Sequence, residues 1–228
     1  MPAEEAVDIP PTSTTRAHRA IILAGGAMHA APPADPDGAI VIAADSGYDH
    51  ARAMGLMVDV LVGDMDSISA EGLEHAATHD VTIERHDASK DETDLELALA
   101  VARRLGATTV AVHGGEDGRI AHLLGIALGL THARIDDLDV AWHTRTGVIA
   151  VATPSRTVHV SGTVGDIVSL IPSGSVAGVT TEGLRWHLAD DALEAGSTRG
   201  LSNEMGATLA SVSVRAGRLL VIAEREST

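Results

Sequence analysis

Cysteine and phenylalanine are absent from the 228 residues, tyrosine occurs once and tryptophan twice. Without thiols there is no disulfide framework, no thiolate nucleophile and no Cys-based zinc site, which suits a reducing cytoplasm. Without Phe, the core must be built from Ala, Val, Leu, Ile and Met. Basic residues are also scarce. A single Lys, Lys90, and fifteen Arg stand against 32 Asp and Glu, for a formal charge of −16. A surface of that sign argues against nucleic acid or an anionic membrane as partner, because both need a basic face. Long apolar runs are missing too: Ala39–Ala44 falls far short of the ~20 residues of a membrane span. Met1–Thr15 carries Glu4, Glu5, Asp8 and a Pro-Pro step, where a secretory leader needs a basic start and an apolar run. These absences predict a cytoplasmic protein and say little about its substrate.

What is present is alternation. Residues 1–18 are polar and Pro-bearing and read as a mobile tail. From Arg19, short apolar runs (Ala20–Leu23, Ala39–Ala44, Val58–Val62, Val81–Ile83, Thr109–Val112, Leu138–Trp142) alternate with helix-period segments at Tyr48–Met54, Ala70–Ala77, Asp94–Leu105 and Ile120–Leu130. This predicts an α/β domain with a parallel sheet over residues 19–150. The helix from Asp94 is expected to bury Leu95, Leu97, Ala98, Val101 and Leu105. Beyond about Gly147 the helical period stops. Short β-rich runs at Thr157–Val160, Ile167–Ile171, Val176–Thr180, Leu209–Val214 and Leu219–Ile222, divided by Gly, Pro and Ser, predict a smaller antiparallel β-sandwich over residues 151–228.

The acids of the first half sit at the carboxyl ends of predicted strands. Asp45 follows Val41-Ile42-Ala43-Ala44, Asp64 and Asp66 follow Val60-Leu61-Val62, and Asp91 and Asp94 lie in Lys90-Asp91-Glu92-Thr93-Asp94 before a helix. Ligands of open α/β sheets bind outside the carboxyl ends of strands, so these clusters point to one crevice. Converging carboxylates repel unless a cation sits among them, and Mg²⁺, which takes carboxylates together with substrate phosphates, is the natural one. Asp64-Met65-Asp66 would put both side chains on one side of an extended segment. Thr93 and Asp94 equally suit a helix N-cap and first turn, and Asp64 and Asp66 a solvated loop.

The string His113-Gly114-Gly115-Glu116-Asp117-Gly118-Arg119 runs from a strand into a helix. Its glycines let backbone amides approach an anion, and Arg119 offers a forked clamp for phosphate. It fits neither the Walker P-loop nor the G-x-G-x-x-G fingerprint, and a plain connecting turn is the other reading. Gly25-Gly26, after the first strand, is a similar case.

In order along the chain, Ala44-Asp45-Ser46-Gly47, Gly63-Asp64-Met65-Asp66-Ser67, Lys90 to Glu96, Gly114 to Arg119 with His122, Thr181 to Trp186 and Gly200 to Glu204 resemble the motifs of the thiamine pyrophosphokinases. The resemblance spans roughly residues 20–225. It implies transfer of pyrophosphate from ATP to the hydroxyl of thiamine, in a homodimer of α/β and β-sandwich domains. It implies that Asp45, Asp64, Asp66 and Asp94 hold Mg²⁺ and the ATP phosphates, and that Arg119 stabilises the transferring charge. Ser67, Lys90, Asp91, Thr93, Gly115, Gly118 and His122 would complete the nucleotide site, and Trp186, Ser202 and Asn203 the thiamine pocket. An indole suits a cationic thiazolium or a flat pyrimidine; Trp186 as sandwich core is the other reading. A sister enzyme acting on a pterin, or a binding module without turnover, are the alternatives.

Against the family's Gly-Gly-Arg-x-Asp-His, the chain has Ala121 in place of the Asp, followed by Gly125 within the same helix-period segment. Asp117, two residues before Arg119, is expected to supply the displaced carboxylate.

Overall fold

The computed structural model describes residues 7–10, 18–26, 33, 36–87, 89, 91–116 and 119–224. The chain divides into two compact units. One comprises Thr12–Ile126 with Asp137–Arg145, the other Met1–Pro11, Ala127–Asp136 and Thr146–Thr228.

In the first unit the elements follow as β1 (Arg19–Leu23), β2 (Ile40–Ala44), α1 (Gly47–Ala53), β3 (Val60–Gly63), α2 (Ala70–Thr78), β4 (Thr82–Arg85), α3 (Asp94–Arg104), β5 (Thr109–His113), α4 (Ile120–Gly129), whose last residues from Ala127 belong to the other unit, and β6 (Asp139–His143). The strands pair in parallel in the order β6-β5-β1-β2-β3-β4. Near-continuous apolar strands such as Ile40–Ala44 are what a sheet covered on both faces requires. Ile21, Leu23, Val41 and Ala43 pack on one face with Tyr48 and Ala51 of α1 and Ala76 of α2. Ala20, Ile22 and Ile42, alternating with them, are equally buried, and α3 packs on β1, β2 and β3. The outermost strand, β4, is the least buried.

The chain builds β1 to β4 outward and then returns to place β5 on the other side of β1. Beside β1 the strand order reverses, and at such switch points the loops part to leave a crevice.

The second unit holds β7 (Gly147–Ala152), β8 (Val158–Ser161), β9 (Ile167–Pro172), β10 (Val176–Glu182), β11 (Asp191–Leu193), β12 (Asn203–Glu204), β13 (Leu209–Ser213) and β14 (Leu219–Glu224). They pair antiparallel as β12-β9-β14-β7 and β11-β10-β13-β8. The anticipated class, a parallel α/β part followed by antiparallel β, is the one observed.

Three local expectations need correction. The boundary near residue 150 falls inside β7, which pairs with β14 along its whole length; a buried run such as Gly147–Ala152 carries no alternation to announce a strand. The tail expected over residues 1–18 is packed at Val7–Ile9. Val7 and Ile9 are buried, and Asp8 exchanges two 2.8 Å backbone hydrogen bonds with Ser161. In α3, Leu99 and Ala102 are buried and Leu105 is exposed, so the apolar stripe is rotated from the one expected.

Candidate active site

Asp45 follows β2 in a left-handed conformation, φ 46°, and only 5% of it is exposed. Its backbone N–H donates to the Val62 carbonyl (3.0 Å). The Met65 amide donates to Oδ1 (2.9 Å) and the Ser67 hydroxyl to Oδ2 (3.4 Å). The carboxylate therefore folds the loop after β3 around itself. Met65 is left-handed as well, φ 68°, and the Asp66 amide donates to Asp64 Oδ1 (3.0 Å). This bend, and not the extended segment expected, brings Asp64 and Asp66 together. Gly63, at φ 146°, is required because a Cβ there would lie 2.2 Å from Asp45 Oδ1.

One carboxylate oxygen from each of Asp45, Asp64 and Asp66 lies within 4.8 Å of the others. Opposite ligands of an octahedral Mg²⁺ are about 4 Å apart, so small side-chain adjustments suffice for the three to surround one ion. Electrostatics agree. Burial pushes Asp45 up to about 6, the Met65 amide opposes the rise, and Asp94, Asp64 and Asp66 add to it. A divalent cation relieves that repulsion.

Asp94, the fourth expected ligand, stands outside the triad but lines the same cleft. Thr93 and Glu96 form a capping box at the start of α3, with Thr93 N–H on Glu96 Oε2 (2.8 Å) and Glu96 N–H on Thr93 Oγ1 (3.2 Å). The cap reading of Thr93 is thus correct, and it fixes the direction in which the Asp94 end of α3 meets the cleft. Gly25, Gly26, Ser67, Gly115, His122 and Ile126 line it further. Asp91 is exposed and does not line it, and Arg119 is exposed just ahead of α4. Lys90, Asp117 and Gly118 lie outside the described residues. Ala121 and Gly125 are exposed on α4, and a Cβ on Gly125 would meet nothing within 4 Å among the described residues. Leu95 and Ile126 give the cleft an apolar side that sequence reasoning missed; as regular core-spaced residues of α3 and α4 they carried no signal.

The second unit brings Trp186 and Asn203 together. Asn203 is 6% exposed, and its side chain accepts from the Trp186 amide (3.0 Å) and donates to the Trp186 carbonyl (2.7 Å). Its side chain is thus engaged in holding the Trp186 backbone. The indole is 52% exposed, so it is not sandwich core, and the Arg185 guanidinium sits 4.9 Å from its centroid. Ser202 adjoins them in a left-handed conformation, φ 55°, its amide donating to Ser169 Oγ (3.1 Å).

Two family models match the chain. "Thiamin pyrophosphokinase, catalytic domain" covers residues 37–141, and "Thiamin pyrophosphokinase, vitamin B1 binding domain" covers residues 155–219. Among curated proteins none matches in sequence. Three solved structures are similar. Thiamine pyrophosphokinase from Bacillus subtilis is 23% identical at TM-score 0.80, over 92% of this chain and 100% of that one. A thiamin pyrophosphokinase family protein from Enterococcus faecalis is 25% identical at TM-score 0.77, with the same coverage. Thiamin pyrophosphokinase from Geobacillus thermodenitrificans is 26% identical at TM-score 0.77, over 92% of this chain and 99% of that one. The two models follow one another along well over half of the sequence and meet the acid-lined cleft and the Trp186 cluster in turn, and the chain belongs to the thiamin pyrophosphokinase family.

Proposed function

We propose that the chain transfers the terminal pyrophosphoryl group of ATP to the hydroxyl of thiamine, giving thiamine diphosphate and AMP. The hydroxyl oxygen forms a bond to the β-phosphorus. The bond from that phosphorus to the oxygen shared with the α-phosphorus breaks, and AMP leaves with that oxygen. A carboxylate of the cleft takes the hydroxyl proton. The observation that carries this reading is the convergence of Asp45, Asp64 and Asp66 from successive strand ends, in a chain of this family.

In this reading Asp45, Asp64 and Asp66 hold Mg²⁺, with Asp94 completing the site beside the phosphates. Bound there, the ion supplies neutralisation of the negative charge shared by the phosphate oxygens. The protein's own groups orient the nucleotide. Ser67, Thr93 and Gly115 line the nucleotide side of the cleft, with their own donors engaged by Asp45, Glu96 and Gly25; His122 flanks the polyphosphate, and Arg119 stabilises the charge that develops in transfer. Trp186 offers its indole to thiamine, with Asn203 setting its position and Ser202 beside it. Asp117 supplies the carboxylate displaced from residue 121, and Lys90, Asp91 and Gly118 belong to the nucleotide side.

We place the reaction in the cytoplasm, as the lack of cysteine suits; among the described residues no helix is long and apolar enough to cross a membrane. A homodimer is supported by α4, which exposes Ile120, Leu123, Leu124 and Leu128 and buries Ile126. Product analysis tests the reaction: thiamine diphosphate and AMP should form in equal amounts from thiamine, and no AMP from a hydroxymethylpterin offered instead. Turnover of the pterin alone would contradict the assignment.

A further inference from the structure

The glycine pair after β1 is held in an unusual way. Gly25 and Gly26 line the cleft that contains Asp45. Backbone beside a polyphosphate attracts it through N–H groups and repels it through carbonyl oxygens. Both carbonyls of this pair are occupied. The Gly115 amide donates to the Gly25 oxygen at 3.1 Å, and the ring of His50, from α1, meets the Gly26 oxygen through Nε2 at 2.5 Å. A carbonyl only accepts, so Nε2 carries the hydrogen. The Gly26 amide, by contrast, reaches Ser46 Oγ only at 3.4 Å, a long contact that a phosphate oxygen would better. Gly26 has φ +88°, and among the described residues nothing lies within 4 Å of where a Cβ would sit. The described hydrogen bonds of the turn are those to Gly115, His50 and Ser46.

We propose that His50 is a positioning residue of the nucleotide pocket: by binding the Gly26 carbonyl it turns that oxygen away from the cleft and leaves the Gly26 amide to a phosphate oxygen of ATP. The inference rests on ATP being the donor. It links two strand ends, because α1 starts directly beyond Asp45 and reaches back to the turn after β1.

The test is steady-state kinetics of thiamine-dependent AMP release for the parent, His50→Leu and His50→Gln, with melting curves for each. Loss of one hydrogen bond that orients the turn raises KM for ATP about three- to tenfold in His50→Leu. The kcat and the KM for thiamine stay within about twofold, as for an interaction felt equally in ground and transition states. His50→Gln, whose amide nitrogen reaches to the same place, restores the parent KM. An active parent with unchanged KM in His50→Leu overturns the role of His50 and leaves the proposed function standing. Equal losses in both variants, tracking their melting temperatures, also overturn it. A folded parent that releases no AMP sinks both readings. Should His50→Leu fail to fold, His50→Gln against His50→Glu carries the test. The two have the same length, but one presents a donor and the other only acceptors, and equal KM values would overturn the proposal.

Discussion

At the scale of single residues, the site is governed by how one buried carboxylate is used. Asp45 Oδ1 is bound to the Met65 amide, Oδ2 receives the Ser67 hydroxyl, and two further carboxylates stand close by. The arrangement is under electrostatic tension until a cation arrives. Millimolar Mg²⁺ should therefore raise the melting temperature relative to EDTA, and Asp64→Asn should abolish the rise; an identical rise in the variant would show the ion binding elsewhere. Gly63→Ala should displace Asp45, since its Cβ would overlap Oδ1. The expected result is a loss of kcat/KM of tenfold or more, with destabilisation of about 1–3 kcal/mol, read from kinetics and from urea melts. The positions of the three acids were legible in the sequence because they follow apolar runs. The way they converge was not. It depends on left-handed Asp45 and Met65, and neither residue type declares that conformation as glycine would. Asn203 was singled out for a thiamine pocket; its side chain is engaged with the Trp186 backbone, a contact between residues 17 apart that no local pattern displays.

At the scale of elements, the cap of α3 and the Arg218–Asp136 pair are the features with testable energies. Thr93→Ala removes half of the capping box and should cost about 1 kcal/mol, a fall in melting temperature of roughly 2–4 °C for a chain of this size. In the second unit, the Arg218 guanidinium binds both oxygens of Asp136 and holds that carboxyl below the usual carboxylate range. A lowered pKa means stabilisation present above the ordinary value of about 3.9 and lost as pH falls through the folded value. The Asp136 side chain is 39% exposed, so the contribution is at most about 1 kcal/mol. Asp136→Asn should accordingly be less stable than the parent at pH 7 and converge with it on acidification below pH 4; a constant difference across that range would contradict the pairing. Helices and parallel strands were legible because periods of 3.6 and buried apolar runs differ plainly. β7 was missed because it is uniformly apolar, and β11 and β12 because two or three residues carry no period.

At the scale of the whole molecule, an acidic chain of 23.4 kDa presents the apolar face of α4 to solvent. Light scattering should give about twice that mass, and Leu124→Glu should return the chain to monomer; a monomeric parent would contradict the dimer. The central claim is that the cleft between the strand ends transfers pyrophosphate. Its most direct measurement is AMP release from ATP and Mg²⁺, with and without thiamine, in the parent and in Asp64→Ala. The account predicts thiamine-dependent AMP in the parent and its loss in the variant. Folded parent protein that releases no AMP above the variant's level would contradict it.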